Sequence, residues 1–317
     1  MVKSYCMSLS TILHLKEPKQ TMDIKAMAKI NLGLDVLSKR PDGYHEVRMV
    51  MQNIYMYDRI TLEKTSQEGI FFSTDSGFLP ADSGNLAYRA AQLLTDRLPA
   101  GAGVRIRLSK FIPVAAGMAG GSSDAAAVLT GMNRLFSLHI PQEELMELGL
   151  TIGADVPYCI LRGSALAEGI GEKLTRLSPP PDCYILIGKP PIGVSTKEVY
   201  GNLRLEDVVH PDIDGIIRAM KAKNLEAMCA SMGNVLETVT IPRYPVIGQI
   251  KDLMIQNGAL TSLMSGSGPT VFGIFDDENT AEKAKQALKQ SKLCARIFLT
   301  TPYHPESSRR HHDQRTT

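Results

Sequence analysis

Apolar and polar residues alternate along the first regular segment of the chain. From Ile24 to Val36 every even position is apolar and most odd positions are polar. A period of two predicts a long β-strand, with Lys29 and Asn31 side by side on its polar face. The turn residues of "RPDGYHEV" follow, and "VRMVMQNIYMYDRITLEK" is typical of the returning strands of a hairpin or meander.

Helical periodicity comes next in the chain. Residues 85–98 predict a helix whose apolar face carries Ala87, Ala90, Ala91 and Leu94. The alternating strand "VRIRL" follows, then a glycine-rich stretch and a helix to about Phe136. A further helix, "PQEELMELGL", begins with Pro141 at its first position.

The second half of the chain has its own pattern after a proline-rich border, which we place near Pro179. Two or three helices are predicted between Asp212 and Glu237, and another from about Pro245 to Asn257, closed by Gly258. The strands "LTSLM" and "TVFGIF", a helix and the strand "CARIFLT" complete it. This order predicts an antiparallel sheet with helices on one face, hence an α+β fold.

Composition narrows the class of protein. A length of 317 residues predicts two domains, and a net charge of +2 argues against a nucleic-acid partner. No apolar run approaches 18 residues, so no membrane helix is expected. Five cysteines without a C-x-x-C pair predict free thiols in a reducing compartment, and the histidines show no zinc spacing. We therefore expect a cytoplasmic protein without a transition metal.

The stretch "PVAAGMAGGSSDAAAVL" joins the central strand to its helix. Glycines followed by a helix N-terminus leave backbone N–H groups pointing to one place, which favours an anion. Ser122, Ser123 and Asp124 are good cap residues and predict the helix start there. The stretch is neither a Walker A loop nor a dinucleotide G-x-G-x-x-G. A glycine-rich packing turn explains the same residues.

If the stretch binds phosphate, the helix N-terminus alone has too little positive charge for a nucleoside triphosphate. A helix N-terminus offers roughly half a positive charge, against about four negative charges on a nucleoside triphosphate, so a lysine and Mg²⁺ are expected to help. Lys29 and Lys110 are the candidates, although each alone also fits an exposed surface lysine.

Three further features allow two interpretations each. Asp155 in "IGADVPY" could cap a helix, or orient or deprotonate a hydroxyl nucleophile. The turn in "MSGSGPTVF" could be a hairpin loop or part of a site. Tyr44 and His45 could stack on a base and hydrogen-bond it, or be ordinary hairpin residues.

Together these pieces resemble the GHMP kinases, a superfamily of small-molecule kinases. "AKINLGLDVL", "PVAAGMAGGSSDAAAVL" and "MSGSGPTVFGIF" are similar to its three motifs, and the likeness runs from Met22 to about Thr300. "RPDGYHEV" and "KPPIGVSTKEVY" resemble the members that phosphorylate the 2-hydroxyl of a cytidine-diphosphate-linked methylerythritol in non-mevalonate isoprenoid synthesis. These strings disfavour a homoserine or mevalonate kinase. Lys29 together with Asp155 disfavours a sensor that has lost its chemistry.

The resemblance implies the domain organisation. Residues 22–178 are expected to form a ribosomal-protein-S5-domain-2-like, ATP-binding N-terminal domain, and residues 179–302 a ferredoxin-like C-terminal domain. Residues 1–21 are expected to be an N-terminal extension and residues 303–317 a polar tail. The active site is expected in the cleft between the domains of a monomer or homodimer.

The resemblance also implies the site residues. Lys29 and Asp155 match the catalytic pair of the family. Asn85 and Lys110 match positions that line the adenosine side of its ATP site. Met51 stands where relatives often have an aromatic residue, which puts that wall of the cytidine pocket in question. The residues matching the ATP loop are Pro113, Val114, Ala115, Ala116, Gly117, Met118, Ala119, Gly120, Gly121, Ser122 and Ser123. Those matching substrate contacts are Asn31, Tyr44, His45, Thr196, Tyr200, Gly266, Ser267 and Gly268. ATP and Mg²⁺ are the implied cofactors.

Overall fold

The computed structural model describes residues 21–305, which form two β-sheets flanked by helices. Apart from Thr21, the expected N-terminal extension lies outside the described residues, as do residues 306–317. The change from one sheet to the other falls between Arg176 and Tyr184, a segment that includes the expected border near Pro179.

The first sheet has six strands within the described residues, in the order β3-β4-β2-β5-β6, with β1 also paired to β2. The pairings are antiparallel except for the parallel pair β3 and β4. The strands are β1 (Thr21–Lys39), β2 (His45–Thr65), β3 (Gly69–Thr74), β4 (Gly103–Ser109), β5 (Ser164–Gly169) and β6 (Lys173–Arg176).

The first strand departs from simple alternation. Every residue from Ala26 to Val36 is buried, whichever way its side chain points. Register shifts in the pairing with β2, between Met27 and Lys29 and between Asn31 and Gly33, interrupt the alternation. Successive parts of the strand therefore pack into two different hydrophobic cores. Its partner β2 is a single strand of 21 residues rather than the several strands expected.

Four helices of the N-terminal domain are described: α1 (Leu86–Gln92), α2 (Gly120–Leu135), α3 (Gln142–Leu150) and α4 (Val156–Leu161). The helix expected over residues 85–98 is too long, because α1 ends at Gln92 and a separate 3-10 turn covers Thr95–Arg97. Its apolar face is confirmed, since Ala87, Ala90, Ala91 and Leu94 are all fully buried.

The second sheet confirms the expected ferredoxin-like topology. Its strands β7 (Tyr184–Lys189), β8 (Thr261–Met264), β9 (Val271–Phe275) and β10 (Arg296–Thr300) pair antiparallel in the order β10-β7-β9-β8. The helices of this half are α5 (Thr196–Gly201), α6 (Ile213–Ala222), α7 (Leu225–Ser231), α8 (Glu237–Arg243), α9 (Val246–Gln256) and α10 (Glu278–Ser291).

The segment after β10 returns to the N-terminal domain. The Tyr303 backbone N–H donates to the Asn53 carbonyl at 2.8 Å, and Pro302 forms a bridge with Ile54. The Tyr303 side chain is only 8% exposed. The expected polar tail therefore starts too early at residue 303, because this tyrosine belongs to the packed fold.

Two expectations drawn from composition can be compared with the described residues. Cys159, Cys183 and Cys229 are free and buried, and Cys294 is free and partly buried, as expected of core thiols. Within residues 21–305, the helices lack the combination of length and apolar character that crossing a membrane requires.

Candidate active site

One cleft of about 1040 Å³ lies between the two domains. Residues from all three sequence motifs line it, so β1, the loop before α2 and the loop between β8 and β9 meet there. The predicted site residues on its wall are Lys29, Asn31, Tyr44, His45, Asn85, Lys110, Pro113, Val114, Ala115, Ala116, Gly117, Ala119, Gly120, Gly121, Ser122, Asp155, Thr196, Tyr200, Gly266 and Ser267. Three others, Met118, Ser123 and Gly268, do not line the cleft.

The glycine-rich loop leads directly into α2. The helix starts at Gly120, and its N-cap residue Ala119 has φ 53° and makes no side-chain cap hydrogen bond. The first N–H groups of the helix are therefore left for an anion. Ala115, at φ 51°, also adopts the left-handed region, which costs an alanine about 1 kcal/mol. Such strain is typical of functional loops.

The expected cap residues have other roles. Ser122, Ser123 and Asp124 lie inside the first turns of α2, so the predicted helix start was too late. The Ser123 hydroxyl donates to the Met27 carbonyl at 2.7 Å and fastens α2 to β1. Met118 serves the same junction, because its carbonyl accepts from the Lys29 backbone N–H at 3.2 Å.

The third motif packs on the glycine-rich loop. The Ser265 hydroxyl donates to the Gly117 carbonyl at 3.0 Å. Behind it, the Asn234 side chain donates to the carbonyls of Met264 and Gly266 at 2.7 and 2.8 Å. The Ser267 and Thr196 hydroxyls are hydrogen-bonded at 2.8 Å. The turn is thus a hairpin loop that also completes the cleft.

The predicted catalytic pair comes together in the cleft. Lys29 Nζ lies 3.9 Å from Asp155 Oδ2, and it donates to Asn31 Oδ1 at 2.9 Å. The Lys29 side chain is 6% exposed and that of Asp155 is 36% exposed. Asp155 precedes α4 but makes no side-chain cap hydrogen bond. Its carboxylate is therefore available to the cleft, which favours the catalytic interpretation over the capping one.

Lys110 has a different environment from the one expected. Its buried Nζ is bonded to Asp58 and, at 2.8 Å, to Asp124, whose side chains are 0% and 3% exposed. Burial acts to lower the pKa of Lys110, but the two carboxylates together raise it. Burial raises the pKa of Asp124 well above its ordinary value against the effect of Lys110, and Asp58 adds to the rise. The positive charge of Lys110 is therefore already paired with carboxylates inside the protein.

Asn85 is also largely engaged within the fold. Its side-chain oxygen accepts from the Ala87 N–H, and its amide donates to the Pro80 carbonyl, both at 3.0 Å. It therefore shapes the cleft wall as the N-cap of α1.

Tyr44, His45 and Tyr200 line another part of the cleft, the aromatic end. The rings of His45 and Tyr200 lie 5.2 Å apart at 44°, and Tyr44 is 59% exposed nearby in sequence. Burial, with the charge of Lys39 second, lowers the pKa of His45. Burial also raises the pKa of Tyr200, and the charge of Asp155 adds to the rise. Both side chains are thus neutral hydrogen-bonding groups at neutral pH.

The concern about Met51 does not hold for this cleft. Met51 is 1% exposed in the core and is absent from the described cleft wall. Met49 lines the cleft instead, and its sulfur accepts from Asn31 Nδ2 at 3.5 Å.

Sequence reasoning missed several residues of the site. Asp58 supports Lys110, and Asn234 supports the third motif, each from a distant part of the chain. Lys39 and Lys197 line the cleft but were not singled out. Their positions, beside "RPDGYHEV" and within "GVSTKEVY", were the available signal.

Comparison with known proteins agrees with this architecture. Residues 85–163 match the GHMP kinases N terminal domain, and residues 208–293 match the GHMP kinases C terminal domain. The chain belongs to the GHMP kinases. It is similar to the homoserine kinase from Cytophaga hutchinsonii, with TM-score 0.72, 20% identity, and 94% and 96% of the two chains covered. At that identity the likeness shows the fold alone.

More similar relatives narrow the family. The chain is 56% identical over 287 residues to the 4-diphosphocytidyl-2-C-methyl-D-erythritol kinase of Lachnospira eligens, covering 90% of this chain and 100% of the relative. It is 50% identical over 274 residues to the kinase of that name from Bacillus subtilis, covering 86% and 94%. A crystal structure of 4-(cytidine 5'-diphospho)-2C-methyl-D-erythritol kinase matches with TM-score 0.77 and 33% identity, covering 89% and 100%. The chain therefore belongs to the 4-diphosphocytidyl-2-C-methyl-D-erythritol kinase family, whose members are kinases.

Proposed function

We propose that this enzyme transfers the γ-phosphoryl group of ATP to the 2-hydroxyl of 4-diphosphocytidyl-2-C-methyl-D-erythritol. The observation that carries the proposal is the position of Lys29 and Asp155, 3.9 Å apart in a cleft also lined by the glycine-rich loop and by His45 and Tyr200. A phosphate site, a reacting centre and an aromatic site for a base thus share one cavity.

The glycine-rich loop and the start of α2 bind the phosphates of ATP in this proposal. The uncapped N–H groups at Ala119 and Gly120 supply donors, and the left-handed backbone of the loop exposes them. Lys110 balances Asp58 and Asp124 rather than the triphosphate alone. The remaining phosphate charge therefore requires another cation.

Mg²⁺ is the cation that we propose. Mg²⁺ is commonly held by one or two carboxylates, several waters and the phosphates of the substrate. Ser122 and Asp124 present oxygen donors on the cleft wall, and the buried Asp124 Oδ1 has no hydrogen-bond partner in the described structure. Residues 21–305 contain no group of three His, Cys, Asp or Glu able to hold a metal by themselves. This donor set fits an ion held chiefly by ATP, where it would neutralise phosphate charge.

Asp155 and Lys29 act on the acceptor hydroxyl. Asp155 accepts the hydroxyl's hydrogen bond and takes its proton as the new bond to phosphorus forms. Lys29, held by Asn31, lies beside the oxygen atoms that carry charge during transfer. Because the transition state of phosphoryl transfer is loose, alignment of the hydroxyl contributes more than strong base chemistry.

The cytosine is held at the aromatic end. His45 and Tyr200 provide a stacking surface and hydrogen-bonding groups that are neutral at neutral pH. Asn31, Thr196 and the third-motif residues Gly266 and Ser267 line the path towards Asp155. A monomer or homodimer in the cytoplasm is our accompanying expectation.

Replacing the catalytic carboxylate tests the assigned role. We expect Asp155→Asn to bind ATP normally while kcat falls roughly 10²- to 10⁴-fold, the range for loss of a general base. ADP release and ATP binding should be measured separately. Asp252→Asn, an exposed position on α9, is the matched control and should keep wild-type turnover. Near-normal ADP release by Asp155→Asn would refute the role.

Substrate choice tests the proposed function itself. ADP release should be compared with 4-diphosphocytidyl-2-C-methyl-D-erythritol, homoserine and mevalonate at equal concentrations. We expect turnover with the cytidyl compound, because only that compound carries a nucleobase that can bind at the aromatic end. Equal or greater rates with either competitor would overturn the assignment.

A further inference from the structure

Four lysines line the cleft along the described part of the chain: Lys29, Lys39, Lys110 and Lys197. Its carboxylates are Asp42, Asp124 and Asp155. Each carboxylate already has a cation. Asp155 lies beside Lys29, Asp124 is bonded to Lys110, and Asp42 pairs with Arg40 at 3.0 Å.

The other two lysines are unmatched. Among residues 21–305, neither Lys39 nor Lys197 has an ion-pair partner. Both are exposed to the cleft, so neither is held as a buried structural charge. The cleft therefore has two lysine charges that the described fold does not pair.

Both unmatched lysines lie at the aromatic end. Lys39 is directly opposite His45 in the pairing of β1 with β2, and its charge contributes to the lowered pKa of that histidine. Lys197 is on α5, three residues before Tyr200, so the two share one side of the helix. The His45 and Tyr200 rings are in contact, so both lysine positions belong to this end of the cleft.

We propose that Lys39 and Lys197 form a diphosphate-binding subsite at the aromatic end of the cleft. The subsite rests on the proposed function, which places a base against His45 and Tyr200 and a hydroxyl beside Asp155. In a nucleoside diphosphate ester, the diphosphate connects those two groups. Because the diphosphate is attached to the nucleoside, two ammonium groups at the end of the cleft that holds the base match its negative charge and select against uncharged or shorter analogues.

The test compares cytidine, CMP and CDP as ligands of the full-length enzyme. Binding of each should be measured by calorimetry for wild type, Lys39→Gln, Lys197→Gln and the double variant. In wild type we expect affinity to rise with each added phosphate. Each single variant should lose roughly tenfold in CDP affinity, the low end for a hydrogen bond to a charged group because solvent screens both lysines. The double variant should lose about a hundredfold if the effects add.

Two further readouts separate charge recognition from a structural effect. Cytidine affinity and the KM for ATP should stay at wild-type values in all three variants. Added salt should weaken CDP binding more in wild type than in the double variant, because fewer charges remain to be screened. Lys221→Gln, an exposed position on α6 that is absent from the cleft wall, is the matched control and should change none of these values.

The outcomes distinguish this inference from the proposed function. If wild type prefers CDP to cytidine and the variants keep the whole preference, the subsite is refuted while the proposed function stands. The subsite is equally refuted if cytidine and CDP affinities fall together. If wild type binds neither ligand and does not phosphorylate the proposed substrate, both proposals fail.

Discussion

At the scale of single residues, the buried cluster of Lys110, Asp58 and Asp124 joins three parts of the fold. Asp58 accepts from the backbone N–H groups of Phe111 and Ile112, at 2.5 and 2.8 Å, as the chain leaves β4. Asp124 holds the same lysine from α2 at 2.8 Å. Two carboxylates share one ammonium group in a buried place. The cluster therefore fixes the entry to the glycine-rich loop at the cost of one unbalanced charge.

This charge predicts how stability depends on pH. The pKa of Asp124 is raised in the folded protein by burial and by Asp58, against Lys110. Its contribution to stability is therefore full below the unfolded value, about 3.9, and is lost as the pH rises through the folded value. We expect the free energy of unfolding of Asp124→Asn, relative to wild type, to increase with pH. The increase should be about 1.4 kcal/mol for each unit of the shift.

Urea denaturation from about pH 4 upward would measure this difference. Asp96→Asn, an exposed position in the 3-10 turn, should follow the wild-type profile. A stability difference that is independent of pH, or that decreases as the pH rises, would contradict the prediction.

The sequence could indicate residues whose role depends on local pattern, but not residues whose partner is remote. Lys29 and Asn31 are two positions apart on a strand, so their proximity followed from the period of the strand. Asp58 occurs in an ordinary alternating strand, and its backbone partner Ile112 is 54 residues away. Nothing in the local pattern identifies such a pair. Lys110 was found, but its neutralisation by two buried carboxylates was not.

At the scale of elements, the glycine-rich loop and the third motif pack directly against each other. A Cβ on Gly117 would lie 2.1 Å from the Ser265 carbonyl oxygen, and Gly117 has φ +72°. The backbones thus approach closely at a position that also requires the left-handed region. The approach depends on packing between the domains, so the sequence predicted both loops but not their contact.

Gly117→Ala tests whether this contact shapes the proposed ATP site. Gly101 is the matched control, because it has φ +73° and open space where a Cβ would lie. We expect Gly101→Ala to lose about 1 kcal/mol of unfolding free energy from the backbone alone. Gly117→Ala should lose more and should raise the KM for ATP. Equal stability losses with an unchanged KM for ATP would show that the contact does not matter.

The start of α2 shows why element boundaries are hard to predict. Serine and aspartate side chains usually mark an N-cap, and Ser122, Ser123 and Asp124 suggested one. The helix instead starts at Gly120 after an uncapped alanine. In the proposed function the free N–H groups of α2 bind phosphate, so the helix needs no cap residue and the usual cap signal misplaces its start.

At the scale of the whole molecule, the two domains share a hydrophobic core. This core contains Ala28, Ile30 and Leu32 of β1 together with Ile185 and Ile187 of β7 and residues of α6. A Cβ on Gly33 would lie 2.5 Å from Ile216 Cδ1, so β1 and α6 pack closely. The alternating pattern of β1 predicted one buried face. Ala28, Ile30 and Leu32 lie on that predicted face, but local sequence cannot show that another domain covers them.

A shared core of this kind predicts that the domains unfold together. Interfaces between domains allow relative motion by default, unless they are large and hydrophobic. Ile216 is fully buried in this interface. We therefore expect Ile216→Ala to lose roughly 2–5 kcal/mol of unfolding free energy, the usual range for emptying a buried aliphatic site.

Hydrogen exchange of backbone amides distinguishes joint from separate unfolding. The slowest amides of β1, β2, β7 and β9 should all lose protection by the same free energy in Ile216→Ala, because both sheets open in one cooperative step. Ile255→Ala, on α9 and 47% exposed, should leave all of them near wild type. Loss of protection confined to β7 and β9 would show that the C-terminal domain unfolds independently. The cleft would then lie between two separately stable units rather than within one cooperative structure.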